Sequence, residues 1–202
     1  MKQLKRVEQA LILGVAGDQG SFSEEAAMLY EKKTGAGYVL HYLIDMEGVL
    51  HAVANAKIDL GIFPVVNTNG GLVRAAFDAM GKYPFHVVDE LWLPVNQCCL
   101  MLKTCQPEKI TTIISHQQGL LQCQRYLAQH FNQAAQQEWI DTAKAARDLA
   151  AGLIAPTTAI IASSRAAELF NLKIHAQNIH DNEPNKTAFI VIKNRSAHAT
   201  DR

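Results

Sequence analysis

The 202-residue sequence has none of the spacings that mark common metal or disulfide sites. Its eight histidines form no H-E-x-x-H pattern or other ligand spacing, so we expect no metal site. Its four cysteines include no C-x-x-C pair, and the adjacent Cys98 and Cys99 make a poor disulfide framework. These features predict a cytoplasmic protein with reduced thiols.

The sequence also lacks an excess of charge and a long apolar run. Nineteen basic residues balance nineteen acidic ones, and no basic stripe predicts binding to nucleic acid or to an anionic membrane surface. No stretch approaches the roughly 20 apolar residues of a membrane span. The start, "MKQLKRVEQALILGVAG", is basic and then apolar, but its short apolar run ends in a Gly-rich turn, which favours a strand over a signal peptide.

What the sequence does contain is a regular alternation of short apolar runs and amphipathic segments. Hydrophobic residues make up 49% and charged residues 19%, as is usual for a globular protein. Strands are predicted at 10–15, 38–43, 58–63, 87–93, 97–102, 111–115, 137–140, 158–162 and 187–193. Helices are predicted at 21–34, 45–57, 71–82, 117–131, 142–152 and 163–171. This alternation predicts an α/β fold with mostly parallel sheets.

The alternation is broken once, in the middle of the chain. "FHVVDELWLPVNQCCLMLK" predicts two consecutive strands with no helix between them. This doubled strand is a natural place for the chain to cross from one lobe to another. We therefore predict one lobe from residues 10–85 and 184–194, and a second lobe from residues 86–183.

Four polar segments lie at the ends of predicted strands or at helix amino termini, where ligands gather in such folds. They are "GDQGSFS", "PVVNTNGG", "SHQQG" and "NKTA". Gly17 and Gly20 could bring backbone N–H groups to an anion. Ser115 is predicted to cap a helix whose Gln118 and Gln122 share one face. Taken singly, each segment is equally well explained as a helix cap or turn. Together they offer neutral donors and acceptors, which suit a site that orients a small anion.

The order of six motifs resembles that of prephenate dehydratases. The motifs are "GDQGSFSEEAA", "FPVVNTNGG", "SHQQGLLQC", "TAKAA", "AIIASSRAAELFNL" and "IHDNEPNKTAF", and together they span roughly residues 10–193. The resemblance implies two α/β lobes with a cleft, similar to type II periplasmic-binding proteins. It implies conversion of prephenate to phenylpyruvate, water and carbon dioxide in phenylalanine biosynthesis, without a cofactor. It also implies a small-molecule carboxylate as ligand and a homo-oligomer, namely a dimer.

The resemblance assigns roles to individual residues. Thr187 matches the family's catalytic threonine, whose hydroxyl assists departure of the substrate's hydroxide, and Asn67 and Gln122 match further catalytic positions. The substrate-binding positions implied are Thr68, Ser115, Gly20, Ser21, Phe22, Gly71 and Phe189.

The sequence departs from the family pattern at two charged positions and in length. The family has Thr-Arg-Phe where this chain has Thr187-Ala188-Phe189, and it usually has Glu where this chain has Val66. We hypothesise that the two missing charges neutralise each other in relatives. The length leads us to expect the catalytic domain alone, with no ACT or chorismate mutase module. Two alternatives remain open. One is a catalytically silent binding protein. The other is a decarboxylase that does not dehydrate, although the retained Thr187 favours dehydration.

Overall fold

Two separate β-sheets organise the chain in the computed structural model, which describes residues 10–195. The first sheet contains β1 (Leu11–Ala16), β2 (Tyr38–Leu43), β3 (Leu60–Asn67), β4 (Gly71–Leu72), β5 (Phe85–Pro94) and β11 (Lys186–Asn194). The second contains β6 (Cys98–Met101), β7 (Thr112–Ser115), β8 (Ala135–Glu138), β9 (Thr158–Ala162) and β10 (Lys173–Ala176).

Each sheet combines parallel and antiparallel pairs. In the first sheet the order is β2-β1-β3-β11-β5; β1 runs parallel to β2 and β3, and β11 runs antiparallel to β3 and β5. In the second the order is β10-β6-β9-β7-β8; β6 runs antiparallel to both of its neighbours, and the other four strands share one direction. The predicted two-lobed α/β fold is therefore confirmed. The prediction of mostly parallel sheets is wrong, because five of the nine strand pairings are antiparallel.

Helices cover both sheets. The first lobe contains α1 (Phe22–Thr34), α2 (Met46–Ala54) and α3 (Arg74–Met80). The second contains a 3₁₀ helix (Pro107–Lys109), α4 (Gln117–Gln122), α5 (Gln124–His130), α6 (Thr142–Ala150) and α7 (Ser164–Leu169). The two faces of β11 pack into two separate hydrophobic cores. Phe189 and Val191 pack with residues of α1, and Ile192 packs with residues of α2 and α3.

The chain crosses between the lobes twice, through residues 95–97 and residues 177–185. The predicted boundary after residue 85 is wrong, because β5 pairs along its length with β11 and belongs to the first lobe. Leu91 and Leu93 on β5 are buried in the core of that lobe. The burial of these side chains explains why β5 stays in the first sheet.

Other differences from the predicted elements have local causes. β3 does not stop at Phe63 but continues to Asn67, and its pairing with β11 shifts register beside Pro64, where a bulge accommodates the missing N–H. The predicted helix 117–131 is divided at Cys123. There the second crossing inserts: Asp181 N–H donates to Gln122 O (2.6 Å), and Arg125 N–H donates to Asp181 Oδ1 (3.0 Å).

Candidate active site

The side-chain amide of Asn67, at the end of β3, has its orientation fixed by two backbone groups. The N–H groups of Asn69 and Gly70 donate to Asn67 Oδ1 at 2.8 and 2.7 Å. Because those donors cannot act as acceptors, Oδ1 must face them and Nδ2 must point the other way. Asn67 Nδ2 then donates to Asn185 Oδ1 (2.8 Å) and to Thr187 Oγ1 (2.9 Å).

The orientation of the Asn67 amide also fixes that of the Gln122 amide, at the end of α4 in the second lobe. Gln122 Nε2 donates to Asn67 Oδ1 at 3.3 Å. Gln122 Oε1 therefore faces away from Asn67, and it accepts from Asn185 Nδ2 (3.0 Å) and Gln97 Nε2 (3.2 Å). Asn67, Gln122 and Asn185 form a closed ring of hydrogen bonds. We call these three residues, together with Gln97 and Thr187, the amide network. It joins both lobes and both crossings.

Thr187 sits directly opposite Asn67 in the pairing of β11 with β3, and it is only 8% exposed. Its Oγ1 accepts from Asn67 Nδ2, so its own proton is not used in that bond. Within residues 10–195 the Thr187 hydroxyl donates no hydrogen bond. Its proton is therefore available to another group.

A cavity of about 190 Å³ lies between the lobes beside the amide network. It is lined by Asn69, Gly70, Gln118, Leu121, Gln122 and Asn182. Gly70 permits the close approach of the lobes, because a Cβ there would lie 2.7 Å from Gln118 Oε1. Gln118 and Gln122 share this wall, as their helical spacing predicts. None of these lining side chains is charged, and the cavity wall consists of four amides, one Leu and one Gly.

Two other residues predicted from the same motifs have structural hydrogen bonds. The Thr68 hydroxyl donates to Pro184 O (2.7 Å) and accepts from Lys186 N–H (2.9 Å), which ties the end of β3 to the second crossing. Gly71 begins β4 with φ +72°, a left-handed conformation that suits glycine. Both residues border the amide network without lining the cavity.

Ser115 is placed differently from the prediction. It is the last residue of β7, fully buried, and its hydroxyl donates to Ile161 O on β9 at 2.7 Å. The helix cap predicted for Ser115 is wrong, because His116 occupies the N-cap of α4 and its Nδ1 accepts from Gln118 N–H (3.2 Å). In this arrangement the Ser115 hydroxyl stabilises the second sheet.

The "GDQGSFS" segment lies at a contact between the lobes. Ser21 caps α1 as predicted, and its Oγ accepts from Glu24 N–H at 3.2 Å. The Gly20 N–H, considered above for an anion, instead donates to Glu24 Oε2 at 2.7 Å. Ser163 Oγ of the second lobe donates to Gly20 O at 2.7 Å. Phe22 packs against the core of the first lobe, and Phe189 is buried in it.

Charged side chains accompany this lobe contact. Arg165 of the second lobe lies 3.7 Å from Glu24 Oε2, and Glu25 Oε1 is buried without a hydrogen-bond partner. Burial raises the pKa of Glu25, and the nearby Ser163 hydroxyl opposes that rise. The adjacent Glu24 also raises this pKa, whereas Arg165 lowers it. The ionised Glu25 side chain therefore opposes folding.

We expect the Glu25→Gln variant to be more stable than the wild type at neutral pH. A carboxyl group whose pKa is raised on folding loses stability as pH rises through that raised pKa, starting from its ordinary value of 4.5. Gln has no such titration, so the melting temperature of the variant should exceed that of the wild type by about 2 °C or more at pH 7. Thermal melts from pH 4 to pH 8 test this. A difference that does not grow with pH would contradict it.

The motifs did not single out two members of the amide network. Asn185 lies in the segment "NKTA", two residues before Thr187, and it is buried, although the resemblance assigns it no role. Gln97 is the first residue of the predicted strand 97–102, where nothing in the local sequence indicates a buried hydrogen-bonding role. The signal that could reveal Asn185 is its spacing, since residues two apart on an extended chain point to the same side.

Residues 10–195 contain neither a metal-binding cluster nor a membrane-spanning helix. No three His, Cys, Asp or Glu side chains in this part of the chain could hold a metal ion together. None of its helices has both the length and the apolar character needed to cross a membrane. The four cysteines, all in this range, are free thiols, and burial raises the pKa of Cys98, Cys99 and Cys123.

Comparison with protein families gives one match over most of the chain: residues 13–197 match the family described as prephenate dehydratase. Arogenate dehydratase 1 of Petunia hybrida is 37% identical over 179 residues, which cover 87% of this chain and 40% of the relative. The bifunctional chorismate mutase/prephenate dehydratase of Enterobacter agglomerans is 26% identical over 92% of this chain and 48% of the relative. The chain thus spans less than half the length of these relatives.

Solved structures show the same fold. The prephenate dehydratase of Arthrobacter aurescens, solved in complex with L-Phe, superposes with a TM-score of 0.79 at 24% identity over 91% of this chain and 60% of that one. A periplasmic substrate-binding protein of an ABC transporter from Coxiella burnetii superposes with a TM-score of 0.53 at 12% identity, covering 92% of this chain and 85% of that one. The two lobes therefore have the arrangement of a periplasmic-binding protein.

Proposed function

Because this chain belongs to the prephenate dehydratase family, we propose that it is a carbon–oxygen lyase. Its substrate is prephenate or the corresponding amino acid arogenate, since similar proteins are named for both. From prephenate the products are phenylpyruvate, water and carbon dioxide. The proposal includes the cytoplasmic location and the dimer expected from the sequence.

The single observation that supports this function is the polarity of the Asn67–Thr187 hydrogen bond. Asn67 donates to Thr187 Oγ1, so the Thr187 hydroxyl keeps its own proton to give. In the reaction the C–CO₂ bond of the ring carboxylate breaks, and its electron pair enters the ring. The C–OH bond on the far ring carbon breaks, and the leaving oxygen takes the Thr187 proton to form water; a proton from solvent then restores the Thr187 hydroxyl. The Asn67 amide stabilises the Thr187 oxygen as that proton leaves.

Gln122 and the neutral cavity wall complete the proposed site. Gln122 lines the cavity, whereas Asn67 and Thr187 do not; Gln122 is hydrogen-bonded to Asn67, and Asn67 to Thr187. Amides can hold a carboxylate by hydrogen bonds without placing a charged side chain beside the reacting ring. No organic cofactor is needed, because the electrons come from the bond to the departing carbon dioxide.

The missing Arg and Glu need not disable this site. Ala188 is the direct cross-strand partner of Val66, so the charges expected from the family pattern would face each other. Ala188 also points to the face of β11 opposite Thr187, because adjacent strand residues alternate in direction. This geometry supports the hypothesis that the two charges neutralise each other in relatives, and that this chain replaced them as a pair.

We expect Ala188→Arg and Val66→Glu to be coupled in their effects on turnover. Ala188→Arg alone would bury a cation without a partner, which is costly. The double variant should recover activity relative to that single variant, with a coupling free energy of about 1–2 kcal/mol. A double-mutant cycle on prephenate turnover measures this coupling, and additive effects would rule out the compensated pair.

Purified full-length chain incubated with prephenate, and separately with arogenate, tests the function. Phenylpyruvate or phenylalanine should accumulate in proportion to the amount of protein. Saturable binding of prephenate without product would instead indicate the silent binding protein.

A further inference from the structure

Gln97 is a buried amide on the first crossing, and its side-chain oxygen makes no hydrogen bond. The residue is 4% exposed. Its Nε2 donates to Gln122 Oε1 at 3.2 Å, and its backbone O accepts from Ile179 N–H of the second crossing at 3.0 Å. Its Oε1 is buried without a hydrogen-bond partner. Such an atom lowers stability, so its retention calls for an explanation.

The amide network explains why Gln97 cannot turn its amide around. Two backbone N–H groups orient Asn67, Asn67 orients Gln122, and Gln122 presents Oε1 to Gln97. If the Gln97 amide were reversed, two carbonyl oxygens would face each other. Gln97 Oε1 therefore lacks a partner because Gln97 Nε2 must donate to Gln122 Oε1.

We infer that Gln97 is a positioning residue for the reaction: it holds the Gln122 amide with Nε2 towards Asn67 and the cavity. This inference rests on the proposed function. Gln122 Oε1 is held from both crossings at once, by Gln97 from the first and by Asn185 from the second. The orientation of a cavity-lining side chain thus depends on the two segments that join the lobes. No substrate contact is assigned to Gln97.

Gln97→Met separates positioning from structure. Met has a similar volume and no amide, so it removes the unused Oε1 together with the bond to Gln122. The melting temperature should stay equal or rise, whereas kcat should fall about threefold to tenfold with little change in KM, the usual worth of one hydrogen bond. Asn96→Ala, at the exposed neighbouring position, is the matched control and should leave both values unchanged. A lowered melting temperature with unchanged kcat would overturn the inference and make Gln97 a structural residue.

Gln97→Glu gives a pH signature that a purely structural role would not produce. The protonated carboxyl can donate to Gln122 Oε1, but the ionised carboxylate cannot. Relative to the wild type, kcat of the variant should approach normal below about pH 5 and fall as pH rises through the carboxyl pKa, by about tenfold at pH 8. A variant-to-wild-type ratio that is independent of pH would contradict the inference.

A spectroscopic readout keeps this inference distinct from the proposed function. In ¹⁵N-labelled full-length chain, Gln97→Met should shift the side-chain amide signals of Gln122 and Asn185 but not those of Gln124, which bonds elsewhere. If the wild type turns over neither prephenate nor arogenate, the proposed function fails, and these signals still decide whether Gln97 orients Gln122. Unchanged Gln122 and Asn185 signals would overturn the positioning role even in an active enzyme.

Discussion

Thr187→Val should lower the turnover of prephenate by about 10²- to 10⁴-fold, the usual worth of a positioned proton donor. Val keeps the β-branched shape that suits a strand and removes only the hydroxyl. We expect a value towards the lower end of this range, because a Thr hydroxyl is a weak acid. Stability should stay within about 1 kcal/mol of the wild type, since Asn67 Nδ2 retains Asn185 Oδ1 as an acceptor.

Thr187→Ser is the control for this prediction. It restores the hydroxyl beside Asn67 and should recover most of the activity, while it loses the methyl group that limits rotation of the side chain. Steady-state rates of phenylpyruvate formation for the three proteins measure the effect. If Thr187→Val turns over prephenate like the wild type, Thr187 is only a strand residue and the proposed proton donor is wrong.

Asn67→Asp should lower turnover by about 10²-fold or more and destabilise the fold by about 2 kcal/mol. The carboxylate keeps an oxygen for the N–H groups of Asn69 and Gly70, so the turn after β3 can persist. Its second oxygen, however, replaces the donor that faces Asn185 Oδ1 and Thr187 Oγ1. Acceptors then face acceptors in a buried site, and the Thr187 proton is drawn towards the new carboxylate instead of the substrate.

Asn132→Asp is the control for the charge change, because Asn132 is exposed between α5 and β8 and its side chain makes no hydrogen bond within residues 10–195. It should leave the rate of prephenate turnover unchanged. Urea unfolding and turnover are measured on both variants. Equal losses in the two variants would show that added negative charge, rather than the lost donor at Asn67, accounts for the effect.

The fold could be predicted from sequence where periodicity is strong. The α1 cap at Ser21 and the Gly35 end, with φ +68°, follow from local chemistry that a sequence displays. β10 was not predicted, because its four residues, "KIHA", are formed into a strand by pairing with β6 rather than by their own pattern. The break in the helix at Cys123 depends on Asp181, which is distant in sequence and contacts the helix ends only in the folded chain.

Only part of the candidate site could be predicted, because the sequence displays motifs but not the hydrogen bonds between distant residues. Motifs led to Asn67, Gln122 and Thr187, which the fold brings into one network. The roles of Gln97 and Asn185 depend on hydrogen bonds between residues 25 and 63 positions apart, which no local pattern displays. Ser115 stands in a matching motif, yet its hydroxyl bonds within the second sheet. A motif specifies a residue type, whereas the direction of a side chain is set by the folded chain.

The measurement that tests the central claim most directly is the ratio of carbon dioxide to phenylpyruvate released from prephenate. A dehydratase that couples both bond cleavages through the Thr187 donor should release one carbon dioxide for each phenylpyruvate, throughout the time course. Carbon dioxide without phenylpyruvate would show a decarboxylase that does not expel hydroxide. Neither product, under conditions where prephenate binds, would show a binding protein and contradict the proposed function.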